Sequence, residues 1–583
     1  MTKSAPLRGP KARNITVDTL VIGSGTGMAA ALAARELGLS VLVVEKTAYV
    51  GGSTARSGGA FWIPANRVLK RSGSDDTLEE AGKYLEAAVG DAAPKARYHA
   101  FLKQGPAAVE MLERTTSLKF FWAREYADYH SELPGGSSLG RACESKPFDL
   151  SVLGKERLRL RPPAVEAPLP MPITGADYRW INLMARLPMK VIPLMLRRLL
   201  KGIGGRLLGK RYVATGQALA AGMFAGLIKA DVPVWTRARV VELLAHDECV
   251  VGAVVEQDGE IVRVQVRKGV VLAAGGFDHN MTMRHQYQSA SLKANLSLGA
   301  EGNTGDAIDL AQSLGADRRF MNEAWWFPAI APVKGGSPLV LLAERASPGS
   351  FIVDSNGSRF VNEAKDYMSF GQSVLARENE GNPVGDMWLI FDQGFRNSYV
   401  LGGTVFPRAA IPKSWFDERI AFVAETPSEL ARAVGLPEAA FQATLDRFNA
   451  QAARGRDTDY HRGDSAYDRY YGDPTVQPNP NLRALGQRLY AVKVVLSDLG
   501  TCGGLAADEY ARVLRTDATP INGLYAIGNN AGNAFGHVYP GAGATIGQGV
   551  TFGYIAAQHM ASTAQHFDIP KAPLSHASAE VRR

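Results

Sequence analysis

Val17 to Glu45 reads VDTLVIGSGTGMAAALAARELGLSVLVVE, and this stretch decides the fold. Val17–Ile22 has the pattern of a short buried strand, and Gly23-Ser24-Gly25-Thr26-Gly27 follows it at once. The alanine-rich run from Ala29 to Leu37 predicts a helix. A second β-run, Ser40–Val44, ends on Glu45. Such a β–α–β unit places a pyrophosphate on a helix N-terminus and an acidic side chain on the adenosine ribose. The fingerprint departs from the usual spacing at one place. Its third glycine position holds Met28, with Gly27 one residue early.

Working outward, a second loop of small residues comes immediately after Glu45 and Lys46: Gly51-Gly52-Ser53-Thr54-Ala55-Arg56-Ser57-Gly58-Gly59. A later β-run, Gly269 to Leu272, passes through Ala274 into Gly275-Gly276. Near the C-terminal end, GLYAIGNNAGNAFGHVYPGAGATIGQGVTFGYIAA (Gly523–Ala557) holds a strand ending in Gly528-Asn529, then a tyrosine loop, then a helix opening at Ala544-Thr545-Ile546. Glycines this dense admit close backbone approach to a flat ligand. Three such approaches spread along the chain suit FAD and exceed what NAD needs. No second strand–GxGxxG–helix unit occurs, so no dedicated NAD(P)H domain is expected. Electrons must come from the substrate and leave to an external acceptor, a quinone or similar.

The bulk properties exclude several classes. A chain of 583 residues with 46% apolar and 21% charged residues is a globular enzyme of two or more domains. A net charge of +8 is a mild excess, and no basic run is interleaved with aromatics as nucleic-acid binding would require. Cys143, Cys249 and Cys502 form no CxxC, so neither a disulfide scaffold nor a metal site is expected. Free thiols and a polar, basic first thirteen residues lead to the expectation of a cytoplasmic protein. No apolar run reaches the ~20 residues of a membrane span.

Several long motifs occur in order: GGSTARSGGAFWIPAN (Gly51–Asn66), DYHSELPGG (Asp128–Gly136), GSRFVNEAKDY (Gly357–Tyr367), RGDSAYDRYYGDP (Arg462–Pro474), DLGTCGGL (Asp498–Leu505) and YPGAGATIG (Tyr539–Gly547). With them the chain resembles the fumarate reductase/succinate dehydrogenase flavoprotein superfamily from about Val17 to about Ala557. Within it, the chain is similar to the 3-ketosteroid Δ1-dehydrogenases. Dicarboxylate reductases of that superfamily carry a histidine before a glycine pair. Here Asp498 to Gly504 holds none, which disfavours a doubly charged substrate.

The resemblance implies a 3-ketosteroid substrate and a chemistry. A C=C beside a ketone requires a proton taken α to the carbonyl and a hydride taken from the β carbon, which a flavin accepts at N5. The Tyr-Pro-Gly-x-Gly motif implies that the Tyr539 hydroxyl and the Gly543 amide hold the carbonyl oxygen. The Arg-Phe-x-Asn-Glu segment implies Tyr367 as the base. A supporting tyrosine falls on Tyr129, with Tyr126 close enough to compete. His537 is read as lining the loop, since this chemistry does not need it. Tyr467, Tyr470 and Tyr471 are structural or line a substrate groove. The expected cofactor set is Gly23, Ser24, Gly25, Gly27, Met28, Glu45, Lys46, Gly52, Ser53, Thr54, Ser57, Gly58, Gly59, Val241, Ala274, Gly275, Gly528, Asn529, Gly543, Ala544, Thr545 and Ile546. The implied activity is 3-oxosteroid 1-dehydrogenation. A 3-oxo-5α-steroid 4-dehydrogenase and an enone or enoate reductase are the alternatives.

One segment stands apart. Residues 158–211 begin proline-rich and continue as WINLMARLPMKVIPLMLRRLLKGIGGRLLGKR from Trp180 to Arg211. Pro188 and Pro193 are expected to interrupt any helix. Apolar and basic residues alternate as in a segment lying on an anionic membrane surface; packing over the cofactor domain or a partner subunit is the other reading. The predicted architecture is α/β: a discontinuous, Rossmann-like FAD-binding domain of residues 14–327 and 487–565, an inserted α+β catalytic domain of 328–486, and a tail of 566–583.

Overall fold

The computed structural model describes residues 13–164 and 169–563; the expected tail lies outside them. The decisive stretch forms a strand, Arg13–Ile22, a helix, Gly27–Glu36, and a strand, Val41–Val44. The two strands pair in parallel, Leu20 opposite Leu42. On the other side Arg13–Ile22 pairs in parallel with Glu260–Leu272, which pairs in parallel with Pro520–Ala526. Eight strands make up this sheet. Its central strands are buried on both faces and therefore read as continuous Val/Leu/Ile runs. Ala238–His246 and Cys249–Gln257 extend it as an antiparallel meander off Glu260–Leu272.

The C-terminal helix Ala544–Ser562 lies against Gly27–Glu36. Their small residues allow this, since Gly549 and Gly553 face Thr26 and Ala30 at distances that leave no room for larger side chains. The two ends of the chain therefore close one layer over the sheet.

A second, six-stranded sheet is antiparallel and built around Leu489–Thr501. Ala324–Ile330 and Met387–Asp392 flank that strand, and Ser350–Val353 pairs with Met387–Asp392. This sheet reaches past both expected domain limits, at 327 and at 487, because Ala324–Ile330 straddles the first and its longest strand lies beyond the second. The helix Tyr367–Asn379 packs on Ala324–Ile330.

In the 158–211 segment, a helix spans Pro188–Leu207, so the prolines do not interrupt it as expected. Pro188 occupies the first helical position, where a missing N–H has no cost. Pro193 lies in the second turn and forgoes a single bond near an already free end.

Candidate active site

One cavity of about 1130 Å³ runs between the two sheets, larger than the ~300–1,000 Å³ typical of a pocket for one ordinary ligand. Its first half is lined by Gly23, Ser24, Gly25, Glu45, Lys46, Gly52, Ser53, Thr54, Ser57, Gly58, Gly59, Ala274, Gly275, Gly528, Asn529, Gly543, Thr545 and Ile546. Gly23 has φ +108°, and a Cβ there would lie 2.2 Å from the Ala273 carbonyl oxygen. Only glycine fits that turn. The Ser24 hydroxyl donates to Glu45 Oε2 at 2.6 Å and accepts from the Gly51 amide at 3.0 Å, tying the first and second glycine loops together. The Glu45 Oε1 accepts from the Thr47 hydroxyl at 2.8 Å. Lys46 donates to Thr304 and pairs with Asp306 at 3.1 Å.

Four residues expected at the cofactor do not line the cavity. Gly27 packs the helix onto the sheet: a Cβ would lie 2.9 Å from both Ala273 Cβ and Val21 Cγ1. Met28 and Ala544 are wholly buried in the core at the starts of their helices. Val241 points to the outer face of its strand, and its neighbour Val240 lines the cavity instead. Strand side chains alternate, so Val240 and Val241 present theirs to opposite faces. Spacing also missed Arg56, Asn303 and Thr26, which line the cavity. Asn303 donates to Ser53 at 2.9 Å, a partnership that no local motif signals.

The second half of the cavity holds the tyrosines. Tyr367 opens its helix, where the Asp366 side chain caps by accepting from the Ser369 amide at 2.9 Å. The motif before it is scaffold. Glu363 is fully buried and receives both Arg359 nitrogens at 2.8 Å and Arg462 at 3.2 Å. Burial would raise the Glu363 carboxyl, but the two guanidinium groups hold it below its ordinary range. Asn362 donates to Asp468 at 2.9 Å, so the Gly357–Tyr367 and Arg462–Pro474 motifs meet and fix Tyr367 together.

Tyr539 lies on a loop pinned at Pro540, whose carbonyl accepts from the Tyr84 hydroxyl at 2.6 Å and the Tyr129 amide at 3.1 Å. Gly543 has φ +91° and caps the C-terminal helix, with the Ala60 carbonyl oxygen 2.2 Å from any Cβ. Its amide is therefore one of the free N–H groups of a helix N-terminus.

Ring centroids of Tyr367, Tyr539 and Tyr129 form a near-equilateral triangle, 5.4, 5.4 and 5.1 Å on its sides. Tyr367 and Tyr539 line the cavity, and Tyr129 stands behind them with its hydroxyl buried and without hydrogen-bond geometry to a partner. Tyr126, 6.4 Å from Tyr129, lines the cavity and accepts from the Tyr471 hydroxyl at 2.9 Å. Trp325 and Phe327 support the pair, with centroids 4.5 Å from Tyr539 and 4.6 Å from Tyr367. Burial, and then Tyr539, push the Tyr367 phenol well above its ordinary value, while Tyr129 opposes them. Burial pushes Tyr539 up to about 12 against the lowering effects of Tyr367 and the Gly543 amide.

The model of the family described as FAD binding domain matches residues 18–546, and the chain belongs to that family. A 3-oxosteroid 1-dehydrogenase of Mycolicibacterium smegmatis is 44% identical over 561 residues, covering 94% of this chain and 97% of the relative. The 3-ketosteroid delta1-dehydrogenase of Sterolibacterium denitrificans, solved in complex with 1,4-androstadiene-3,17-dione, superposes with a TM-score of 0.87 at 36% identity. That match covers 94% of this chain and 99% of the other. A 4-oxocyclohexanecarboxylate 2-dehydrogenase of Sinomonas cyclohexanicum is 34% identical, covering 95% of this chain and 94% of the relative. Within the FAD-binding family, the chain is thus a member of the 3-ketosteroid Δ1-dehydrogenases and an FAD-dependent oxidoreductase. The glycine cradle, from which Cβ atoms are excluded at Gly23 and Gly543, fits that cofactor.

Proposed function

We propose that the protein introduces a C1=C2 double bond next to the ketone of a 3-ketosteroid. The observation that carries this reading is the placement of Tyr539, Gly543 and Tyr367 around one end of a cavity whose other end is a dinucleotide cradle. The Tyr539 hydroxyl and Gly543 amide hold the C3 oxygen, which acidifies the C2–H; each such donor is worth about 3 kcal/mol of barrier. Tyr367 takes the C2 proton. Bound FAD supplies the acceptor for the hydride leaving C1. Because burial raises Tyr367, it rests protonated, and the fraction competent as a base grows with pH.

The monocyclic ketone named for the Sinomonas relative would leave much of the wall unused. Beyond the tyrosines, Met171, Ile173, Ile181, Leu339 and Leu342 extend the cavity as an apolar chamber, which a fused hydrocarbon skeleton fills. The test is anaerobic bleaching of the flavin by androst-4-ene-3,17-dione beside a 5α-saturated 3-ketosteroid, with product identification. Formation of the 1,4-diene from the first is expected. Bleaching by neither steroid removes the reading, and a 4-ene product from the second substrate alone moves it to the 4-dehydrogenase.

The proposed division gives residues 14–327 and 487–565 to FAD and 328–486 to catalysis, with the second sheet bridging both limits and electrons passed on to a quinone-like acceptor. Membrane contact is supported by the helix Pro188–Leu207. Met189, Ile192, Leu196, Leu200, Ile203 and Leu207 all face outward, Met189 at 89% and Leu207 at 82% exposure. Their spacing makes one stripe, and Lys190, Arg197 and Arg206 accompany it. Among the described residues, no helix is long and apolar enough to cross a membrane, so the contact is peripheral. Met195 and Arg206 of this helix also line the cavity, which supports reading the stripe as the side from which a lipid-soluble substrate enters. Co-sedimentation with anionic vesicles at low salt is expected, and its loss in Leu200→Glu/Leu207→Glu confirms the face; a wild-type protein that stays in the supernatant rejects it.

A further inference from the structure

Tyr539 and Tyr367 come from segments 172 positions apart in the sequence, yet one hydroxyl must meet the C3 oxygen while the other meets the neighbouring C2–H. Something must set their separation. Glu323 lies at the junction. Its buried Oε1 accepts from His537 Nδ1 at 2.8 Å and from Gln372 Nε2 at 3.2 Å. The same Gln372 amide donates to the His537 carbonyl at 2.8 Å. His537 is two residues before Tyr539, and Gln372 is one turn into the helix that Tyr367 opens.

The backbone of Glu323 is itself fixed. Its carbonyl accepts from the Cys502 amide at 3.2 Å and from Gln288 at 3.1 Å. Two and four residues further on, Trp325 and Phe327 press on the Tyr539 and Tyr367 rings. One carboxylate thus joins the tyrosine loop, the tyrosine helix and the strand that buttresses both. Its other oxygen, Oε2, is buried without a partner. A buried carboxylate left half-satisfied is costly unless its remaining bonds are strong, so those to His537 and Gln372 hold the junction.

We propose that Glu323, through His537 and Gln372, is a positioning residue that sets the distance between the Tyr539 hydroxyl and the Tyr367 base. The inference rests on the roles given to those tyrosines above. It adds that the junction responds to pH, because one of its members titrates. His537 is half-buried; its charged neighbour is Glu323, its other neighbours being the Phe320 ring edge at 5.1 Å and the neutral Gln372. Cys502 faces Glu323 from the strand side. The hydrogen bond to Glu323 raises the His537 pKa above its ordinary ~6.5. For a raised histidine the contribution is full below the ordinary value and lost as pH climbs through the raised one. The junction is therefore tight below the ordinary histidine value and slackens as pH climbs through the raised one.

The test uses the holoenzyme variants Glu323→Gln and His537→Gln. Stopped-flow flavin reduction by steroid is followed across pH, and the His537 titration is read by NMR. In E323Q, flavin content and steroid affinity are expected within about twofold of wild type, with reduction slowed about tenfold, the scale of a small misplacement of reacting groups. The His537 pKa should fall toward its ordinary value. In H537Q, whose amide donates at every pH, the ratio of wild-type to variant rates should fall as pH rises. If E323Q does not fold, H537Q alone decides. Wild-type-like rates and profiles in the variants overturn the proposal, as does a loss of flavin, steroid binding and rate together. A wild type that steroid does not bleach refutes the reaction instead, and an unmoved His537 pKa in E323Q refutes the junction.

Discussion

The cofactor cradle and the tyrosine wall share one cavity but are built in opposite ways. The cradle is mostly main chain: glycines at 23, 25, 52, 58, 59, 275 and 528 line it, and what matters is that nothing projects from them. The wall, apart from the Gly543 amide, is side chain. Its tyrosine rings come from three distant segments, and what matters is where their hydroxyls point. A cradle fails when an atom is added. A wall fails when an atom is removed. Single substitutions of each kind should therefore separate cofactor binding from chemistry.

The sharpest break is expected on the wall. Tyr367→Phe deletes one oxygen from a buried, well-packed ring and should lower flavin reduction by steroid about a thousandfold, within the range for loss of a general base. Flavin absorbance of the purified protein should be unchanged. Tyr539→Phe removes one of two carbonyl donors, so its loss should be smaller, about a hundredfold. A Y367F enzyme that turns over at the wild-type rate would take the base role from this residue.

The converse holds for the cradle. Gly23→Ala places a methyl 2.2 Å from the Ala273 carbonyl oxygen, on a backbone with φ +108°. The strand–turn–helix must shift, and the cofactor should be lost on purification. Adding FAD back should restore reduction rates in proportion to flavin content, since the wall is untouched. If G23A instead retained flavin and lost turnover per flavin, the two regions would not be separable.

The same contrast explains what could be read from the sequence. The cradle is written in local spacing, so its strand, glycine turn, helix and acidic terminus are recognisable in order from Val17 to Glu45. At three expected cofactor positions the side chain is set by tertiary packing. Met28 and Ala544 serve the core, and Val241 sits one residue out of phase with the cavity-facing side of its strand. The wall has little local signature. Tyr539 in its Pro-Gly-Ala-Gly turn is legible as a hydroxyl and amide that grip one oxygen, whereas Tyr367 follows only from the resemblance. Trp325, Phe327 and Glu323 matter only because the strand Ala324–Ile330 brings them beside residues far along the chain. Pro188 misled for a related reason, since a proline breaks a helix interior but suits its first position.

The smallest expected effect decides between Tyr129 and Tyr126, which the sequence left open. Tyr129 touches both Tyr367 and Tyr539 but is closed off from the cavity, whereas Tyr126 faces the cavity one ring further away. Their influences on Tyr367 have opposite signs: the Tyr129 hydroxyl, beside it though short of full hydrogen-bond geometry, lowers its pKa and the Tyr126 phenol raises it. Tyr367 works as the deprotonated form, so its competent fraction falls as its pKa climbs. Tyr129→Phe should therefore move the pH–rate profile of flavin reduction to higher pH, lowering the rate on the rising limb. Steroid affinity should be unaffected. Tyr126→Phe should leave that limb in place or move it slightly lower, and act on steroid affinity instead, because it lines the chamber. A profile that moves upward in Y126F but not in Y129F would reverse the assignment and place the proton-holding contact on the cavity side of the wall.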